Sequence, residues 1–288
     1  MKHFIVTSSI VLAIVLLSGP AFAQRNASLG ENAALRYWSA FSQIQDSAIT
    51  EGQAKELNAI LDGTAPYDDL KYRDLLEKNT LALQIMARAT SLRNCDWGLD
   101  YGLGDDMPVD YARKALVLGR LNVLYTFHLF KSGNKNGGVQ ALVAGIRFSR
   151  DVANGGSLFA AVIAKDLLVN HLRAIDGVLH LEQLSAAQRS ILLQSVSGLG
   201  SHALDWQSAI KQEMTVLNRP PWQASVSLAK VTQAYVATMG NPAQLSNLEQ
   251  VLLTIPQPLR DVIPNPKEVV EQKQELEAKL LQTRSLLQ

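Results

Sequence analysis

The sequence predicts an all-α protein: antiparallel helical hairpins packed as an α-solenoid-like array or a bundle. Three observations carry this. Leu and Ala recur at helical spacing, and the β-branched and aromatic runs that favour strands are scarce, aromatics making up 6% of the chain. No proline occurs between Pro108 and Pro220, an interval of 111 residues, as a block of packed helices requires. Glycine and asparagine clusters at 133–138, 154–156 and 198–200 cut that interval into helix-length pieces. Short connections of two to six residues between helices make sequence neighbours antiparallel.

In chain order, residues 1–23 have the form of a secretory signal peptide. Lys2 supplies the positive start, Phe4 to Leu17 the apolar stretch, and Ala21-Phe22-Ala23 the small-x-small site for cleavage after Ala23. Fourteen helical residues span about 21 Å, short of a hydrocarbon core of about 30 Å. An exported protein, periplasmic or extracellular, is therefore expected, with no transmembrane segment after cleavage. It divides into an all-helical domain at 24–255, a proline-rich linker at 256–265 and an amphipathic C-terminal helix at 266–288.

Helices are expected over 30–47, 51–62, 67–93, 110–132, 137–153, 157–181, 185–198, 201–218, 222–239, 242–254 and 266–287. Several starts are marked. Thr50-Glu51-Gly52-Gln53 and Ser185-Ala186-Ala187-Gln188 have the form of capping boxes. Asn241-Pro242 and Asn265-Pro266 each pair a capping asparagine with proline at the first helical position, and Gly155-Gly156-Ser157 is a helix stop followed by a cap. The linker, with Pro256, Pro258, Pro264 and Pro266, is expected to be extended and stiff. In the last helix Leu276, Leu280 and Leu287 share a side that suits docking on the same chain, and Glu275 and Lys279 are spaced as an i,i+4 ion pair.

Within the hairpin 110–153 the turn begins Gly133-Asn134, small Gly138 follows, and then Leu142 and small Gly145 at spacings of four and three. This hairpin resembles a tetratricopeptide-type helical pair, in which small positions let two helices pack closely. Asn122 and Tyr125 stand where that pattern has tryptophan and leucine, Arg150 where it ends in proline, and Leu167 where a second copy would turn, so the resemblance covers 110–153 alone. It implies an interaction scaffold. The chain as a whole is similar to exported bacterial all-helical proteins.

The unusual segment is 94–110, where Asp96-Trp97-Gly98-Leu99 is followed directly by Asp100-Tyr101-Gly102-Leu103. Five aspartates fall within 15 residues. Asp96, Trp97, Asp100, Tyr101, Asp105 and Asp106 are the candidate ligand-binding residues, because carboxylates on a glycine-rich loop suit calcium or a polar ligand. The alternative is an ordered loop whose Trp97, Leu99, Tyr101 and Leu103 pack down while its aspartates cap and face water.

Signatures of catalysis are missing. The sequence contains no His-Glu-x-x-His, no Gly-x-Ser-x-Gly and no phosphate-binding glycine loop. His128, His171, His180 and His202 suit structural or surface roles, Cys95 a buried thiol, and Trp38, Trp97, Trp206 and Trp222 core anchors. A formal net charge of +1 gives no attraction for nucleic acid or an anionic membrane surface. The expected function is an exported helical scaffold that binds a protein or peptide partner in the cell envelope, without catalysis or cofactor. The alternative is an envelope hydrolase or a polar-ligand or cation-binding protein using the aspartate-rich loop 94–110.

Overall fold

The computed structural model describes residues 31–45, 49–106, 110–200, 203–218 and 226–288. The expected signal peptide, His202 and Trp222 lie outside the described residues. The elements are α1 (Ala33–Ser42), α2 (Glu51–Leu61), α3 (Asp69–Ala89), α4 (Asp110–Lys131), α5 (Lys135–Ala153), α6 (Leu158–Leu181), α7 (Ala186–Ser197), α8 (Trp206–Leu217), α9 (Val226–Gly240), α10 (Leu245–Leu253), α11 (Gln257–Val262) and α12 (Pro266–Leu287). Among the described residues no strand forms, and a single parallel bridge pairs Asn32 with Asn94. The chain is all-α, as its sequence predicts.

Side-chain caps set most starts. Thr50 and Ser185 close complete capping boxes with Gln53 and Gln188, satisfying backbone N–H groups that a helix start leaves open. Asn32, Asp68, Asn134, Ser157, Asp205 and Asn265 cap α1, α3, α5, α6, α8 and α12. Caps also explain where boundaries depart from expectation. The first helix begins at Ala33 rather than 30 because Asn32 is extended and accepts from the Ala34 N–H. The Asn241-Pro242 start makes only a 3₁₀ turn at 242–244 before α10.

The proline-rich stretch differs most. Expected to be extended, residues 256–265 instead hold α11, with Pro258 in the first turn, where its missing N–H costs nothing. Leu259 and Ile263 anchor this helix in the core, and Tyr235 Oη donates to the Pro264 carbonyl at 3.1 Å.

Helices α4, α5 and α6 pack against one another as the centre, with α1 and α3 on one flank and α12 returning onto α6 and α7. Leu121, Leu124, Leu142, Ile146, Leu167, Leu168, Leu172 and Ile175 are fully buried. Truncating one of them to alanine costs about 2–5 kcal/mol. Gly145 lets α5 approach α4 and α6, since a Cβ there would enter the His171 ring and the Asn122 amide.

Helix α12 docks through an apolar stripe and charge. Val269, Val270, Leu276, Leu280 and Leu287 are buried. The expected Glu275–Lys279 pair is replaced by two longer-range ones, because α6 offers partners nearer to hand. Lys165 Nζ lies 2.5 Å from Glu275 Oε2, Lys279 Nζ 2.5 Å from Asp176 Oδ2, and Thr283 Oγ1 donates to Asp176 Oδ1 at 3.1 Å. Among the described residues no helix is long and apolar enough to cross a membrane.

Candidate functional site

Residues 94–102 are pinned by their polar groups to their own turns, to the start of α1 and to α5. Asn32 bridges both ways to Asp96, accepting from its N–H at 2.9 Å and donating to its carbonyl at 2.7 Å. The Asp96 carboxylate accepts from the Gly98 N–H and the Asp100 carboxylate from the Gly102 N–H, two Asx turns that the repeated Asp-aromatic-Gly spelling encodes. Gly98 supplies the positive φ of the first. Trp97 is buried among Tyr37, Phe41 and Tyr111, and its Nε1–H donates to the Asp151 carbonyl at 2.8 Å. Leu99 packs at the edge of the core and Tyr101 is half-buried, whereas Leu103 is exposed, against expectation. Asp105 and Asp106 belong to a 3₁₀ turn at 101–106, and their side chains lie outside the described residues.

Two buried polar knots hold this half together. In the first, Tyr37 Oη donates to Asp151 Oδ2 at 2.7 Å, and the Asp151 carbonyl takes Trp97 together with the Cys95 thiol at 3.6 Å. Burial, then the neighbouring Asp151, pushes the Cys95 thiol up, which removes its thiolate character. Burial likewise raises Asp151, while the Tyr37 hydrogen bond opposes it. In the second, His171 Nδ1 donates to the Leu167 carbonyl at 2.7 Å, and Nε2 accepts from Asn122 Nδ2 at 3.1 Å. Ser149 Oγ lies 3.4 Å from Nδ1 and donates to the Gly145 carbonyl at 2.7 Å. Burial pushes His171 down to about 4.

The concave surface lies elsewhere. A cleft of about 680 Å³ opens between the turn after α2 and the C-terminal parts of α4 and α6. Gly63, at φ +70, stops α2 and turns the chain so that Pro66 and Tyr67 form one wall. Tyr67 stacks on Phe127 with ring centres 5.7 Å apart and on Tyr72 at 5.8 Å. Arg173 of α6 ties down the α2 end by donating to the Asn58 carbonyl at 3.2 Å and pairing with Asp62. An adjoining depression of about 290 Å³ shares Pro66, Tyr67, Phe127 and Leu181 with the cleft and adds Phe130 and Val178.

The acids around this cleft are paired, and exposed Lys131 lines the adjoining depression. Asp62 pairs with Arg173, Asp176 with Lys279, and Glu182 with Lys135 at 2.9 Å. Leu181, at the rim, is 76% exposed. Gly177 lines the cleft from within α6, and a Cβ there would meet nothing nearer than the Phe127 ring at 3.8 Å. Among the described residues no group of three or more His, Cys, Asp or Glu side chains is placed to hold a metal ion.

Of the sequence candidates, the structure places Trp97 in the core and gives the Asp96 and Asp100 carboxylates to their own turns; neither carboxylate lines the cleft. Sequence reasoning missed Tyr67, Phe127, Gly177 and Leu181. The available signal was Gly177, a glycine inside an otherwise strong 24-residue helix. Compared with family models, curated proteins and solved structures, the chain matches none.

Proposed function

We propose that this chain is an exported helical scaffold that binds an apolar peptide segment of a protein partner in the cell envelope, without catalysis, in the cleft beside Gly177. The observation that carries this reading is the glycine itself. Glycine inside a helix costs about 1 kcal/mol relative to alanine. At Gly145 close packing accounts for that cost, but at Gly177 a Cβ has room, and what the missing side chain leaves is depth in the cleft. The two adjoining hollows, of about 680 and 290 Å³, share an aromatic wall. That arrangement suits two neighbouring anchor side chains of one peptide, the larger seated beside Tyr67 and Phe127.

A random peptide library displayed on phage, selected against the purified protein, tests this. The reading expects enriched peptides to carry two closely spaced apolar residues. Gly177→Leu fills the cleft and Leu181→Asp spoils its rim, and each should weaken the selected peptides about tenfold or more. Leu181 is exposed and Gly177 meets the core only at the Phe127 ring, so the melting temperature of each variant serves as the control for folding. Peptides that bind wild type and Gly177→Leu equally, or a selection that enriches nothing, would refute the proposal.

A further inference from the structure

The two walls of the cleft beside Gly177 are held in different ways. One belongs to α4 and α6, whose inner faces fill the core. The other is the end of α2 with the turn that follows, from Ile60 to Pro66. An isolated helix of 11 residues is marginal in water, so α2 depends on what it docks against. Leu57, Ile60 and Leu61 are buried and Ala54 and Ala65 sit at the edge of the core, while Glu51, Gly52 and Lys55 are exposed. The turn is folded back on the helix. The Thr64 N–H at 2.9 Å, the Ala65 N–H at 3.1 Å and the Thr64 hydroxyl at 3.1 Å all donate to the Ala59 carbonyl. Residues 51–65 thus form one body, preceded by buried Ile49 and followed by Tyr67, which its stacking on Phe127 and Tyr72 keeps with α3 and α4. Between that body and Tyr67, Pro66 has no N–H to add a tie.

Lys71 and Arg173 reach this body from other helices. Lys71 of α3 pairs with Glu56 at 2.5 Å from a half-exposed side chain, and such surface pairs contribute little. Arg173 of α6, one turn before Gly177, makes the larger set. Its Nη2 donates to the Asn58 carbonyl at 3.2 Å, its Nη1 to Asn58 Oδ1 at 3.3 Å, and it pairs with Asp62. A cation on the last carbonyls of a helix also suits the helix dipole. The Arg173 side chain is 19% exposed and that of Asp62 59%, so the anion passes to water easily once the two separate. All these bonds exist only while α2 lies on α6. We infer that residues 51–65 are a flap that swings off α6 as one unit to admit the peptide, and that Arg173 is its latch, a positioning residue that sets the aperture of the cleft. That a peptide enters rests on the reading of the cleft given above; that the flap opens does not.

Hydrogen exchange read by mass spectrometry on the intact protein tests the opening. The amides of α2 should exchange about tenfold or more faster than those of α4 to α6, through an opening short of global unfolding. Arg173→Met should speed α2 about a further tenfold, the worth of one charge-assisted hydrogen bond, and leave α4 to α6 unchanged. Asp62→Asn, which alters only the exposed side of the latch, should speed the same helix severalfold and serves if Arg173→Met does not fold. Binding kinetics with a phage-selected peptide test admission. Arg173→Met should raise the association rate about tenfold, because the open form becomes commoner, whereas damage to the wall alone would raise only the dissociation rate. Exchange of α2 at the rate of α4 to α6, or variants that quicken every helix alike or none, would overturn the flap. An unchanged association rate would overturn its part in admission. A selection that yields no peptide removes the cleft reading and admission with it, while exchange still decides the flap.

Discussion

Lowering the pH from 7 to 4 should remove about 3 kcal/mol of stability through a single residue, His171. The ring is fully buried, donates from Nδ1 to the Leu167 carbonyl and accepts at Nε2 from Asn122. A second proton has to enter at Nε2, facing a donor and cut off from water. Burial therefore holds the folded-state value at about 4, against about 6.5 in the unfolded chain. Because the folded value is the lower one, this contribution is complete above pH 6.5 and is lost as pH falls toward 4. Linkage gives a loss of about 2 kcal/mol by pH 5 and about 3 by pH 4. Asp151 acts in the opposite sense, since its raised value means that acid favours the folded form there. Asp69 and Asp205, both lowered, lose their contributions only in stronger acid. Urea unfolding of wild type and His171→Gln at pH 7, 6 and 5 isolates the histidine, because the carboxylates are common to both. Wild type should lose about 2 kcal/mol more than the variant between pH 7 and 5. Parallel profiles would refute the assignment of a neutral, trapped imidazole.

Gly177→Ala should raise stability by about 0.5–1 kcal/mol, or about 2 °C in melting temperature. Gly145→Ala should lower it by about 2 kcal/mol or more, since its Cβ would enter the His171 ring; circular dichroism melts of the two variants give the comparison. Cys95 is half-buried and its thiol is pushed up, so it should react slowly with iodoacetamide in the native protein and rapidly in urea, and rapid native labelling would contradict the raised value. Lys279→Met leaves Asp176 without its cation and should cost about 1–3 kcal/mol. Amide exchange should then quicken in α12 ahead of α4 to α6, whereas uniform quickening would place the effect elsewhere.

The fold was legible where the determinants are local. Thr50 and Ser185 announce helices through capping chemistry that needs only the next three residues, and the structure closes both boxes. Gly133, Gly138 and Gly145 marked the α4–α5 hairpin because turns and close approach both need a missing side chain. Legibility failed where partners lie far apart in the chain. Glu275 and Lys279 have ideal spacing for each other, but Lys165 and Asp176 outcompete them from α6. The four prolines of 256–266 suggested extension, yet burial of Leu259 and Ile263 turned part of that stretch into α11. In 94–110 the sequence made the aspartates conspicuous, and what it did not show is that one oxygen each of Asp96 and Asp100 closes a local turn. The cleft assembles Tyr67, Phe127, Gly177 and Leu181 from three separate stretches, so no window of sequence contains it.

The docking of α12 bears on when the fold can be completed during synthesis. Lys165 is 5% exposed, and its counter-charge, Glu275, lies 110 residues further along the chain. Asp176 waits 103 residues for Lys279. Until a ribosome has translated through α12, α6 presents Lys165 with only the neighbouring Asp166 at 3.4 Å for a counter-charge, Asp176 without Lys279, and the apolar surface that α12 covers. Contacts of such long sequence separation form late, after the loop between them has been closed at an entropic cost. The nascent chain therefore stays open along one side of α6 until α12 has been made, a period in which that surface is accessible to chaperones.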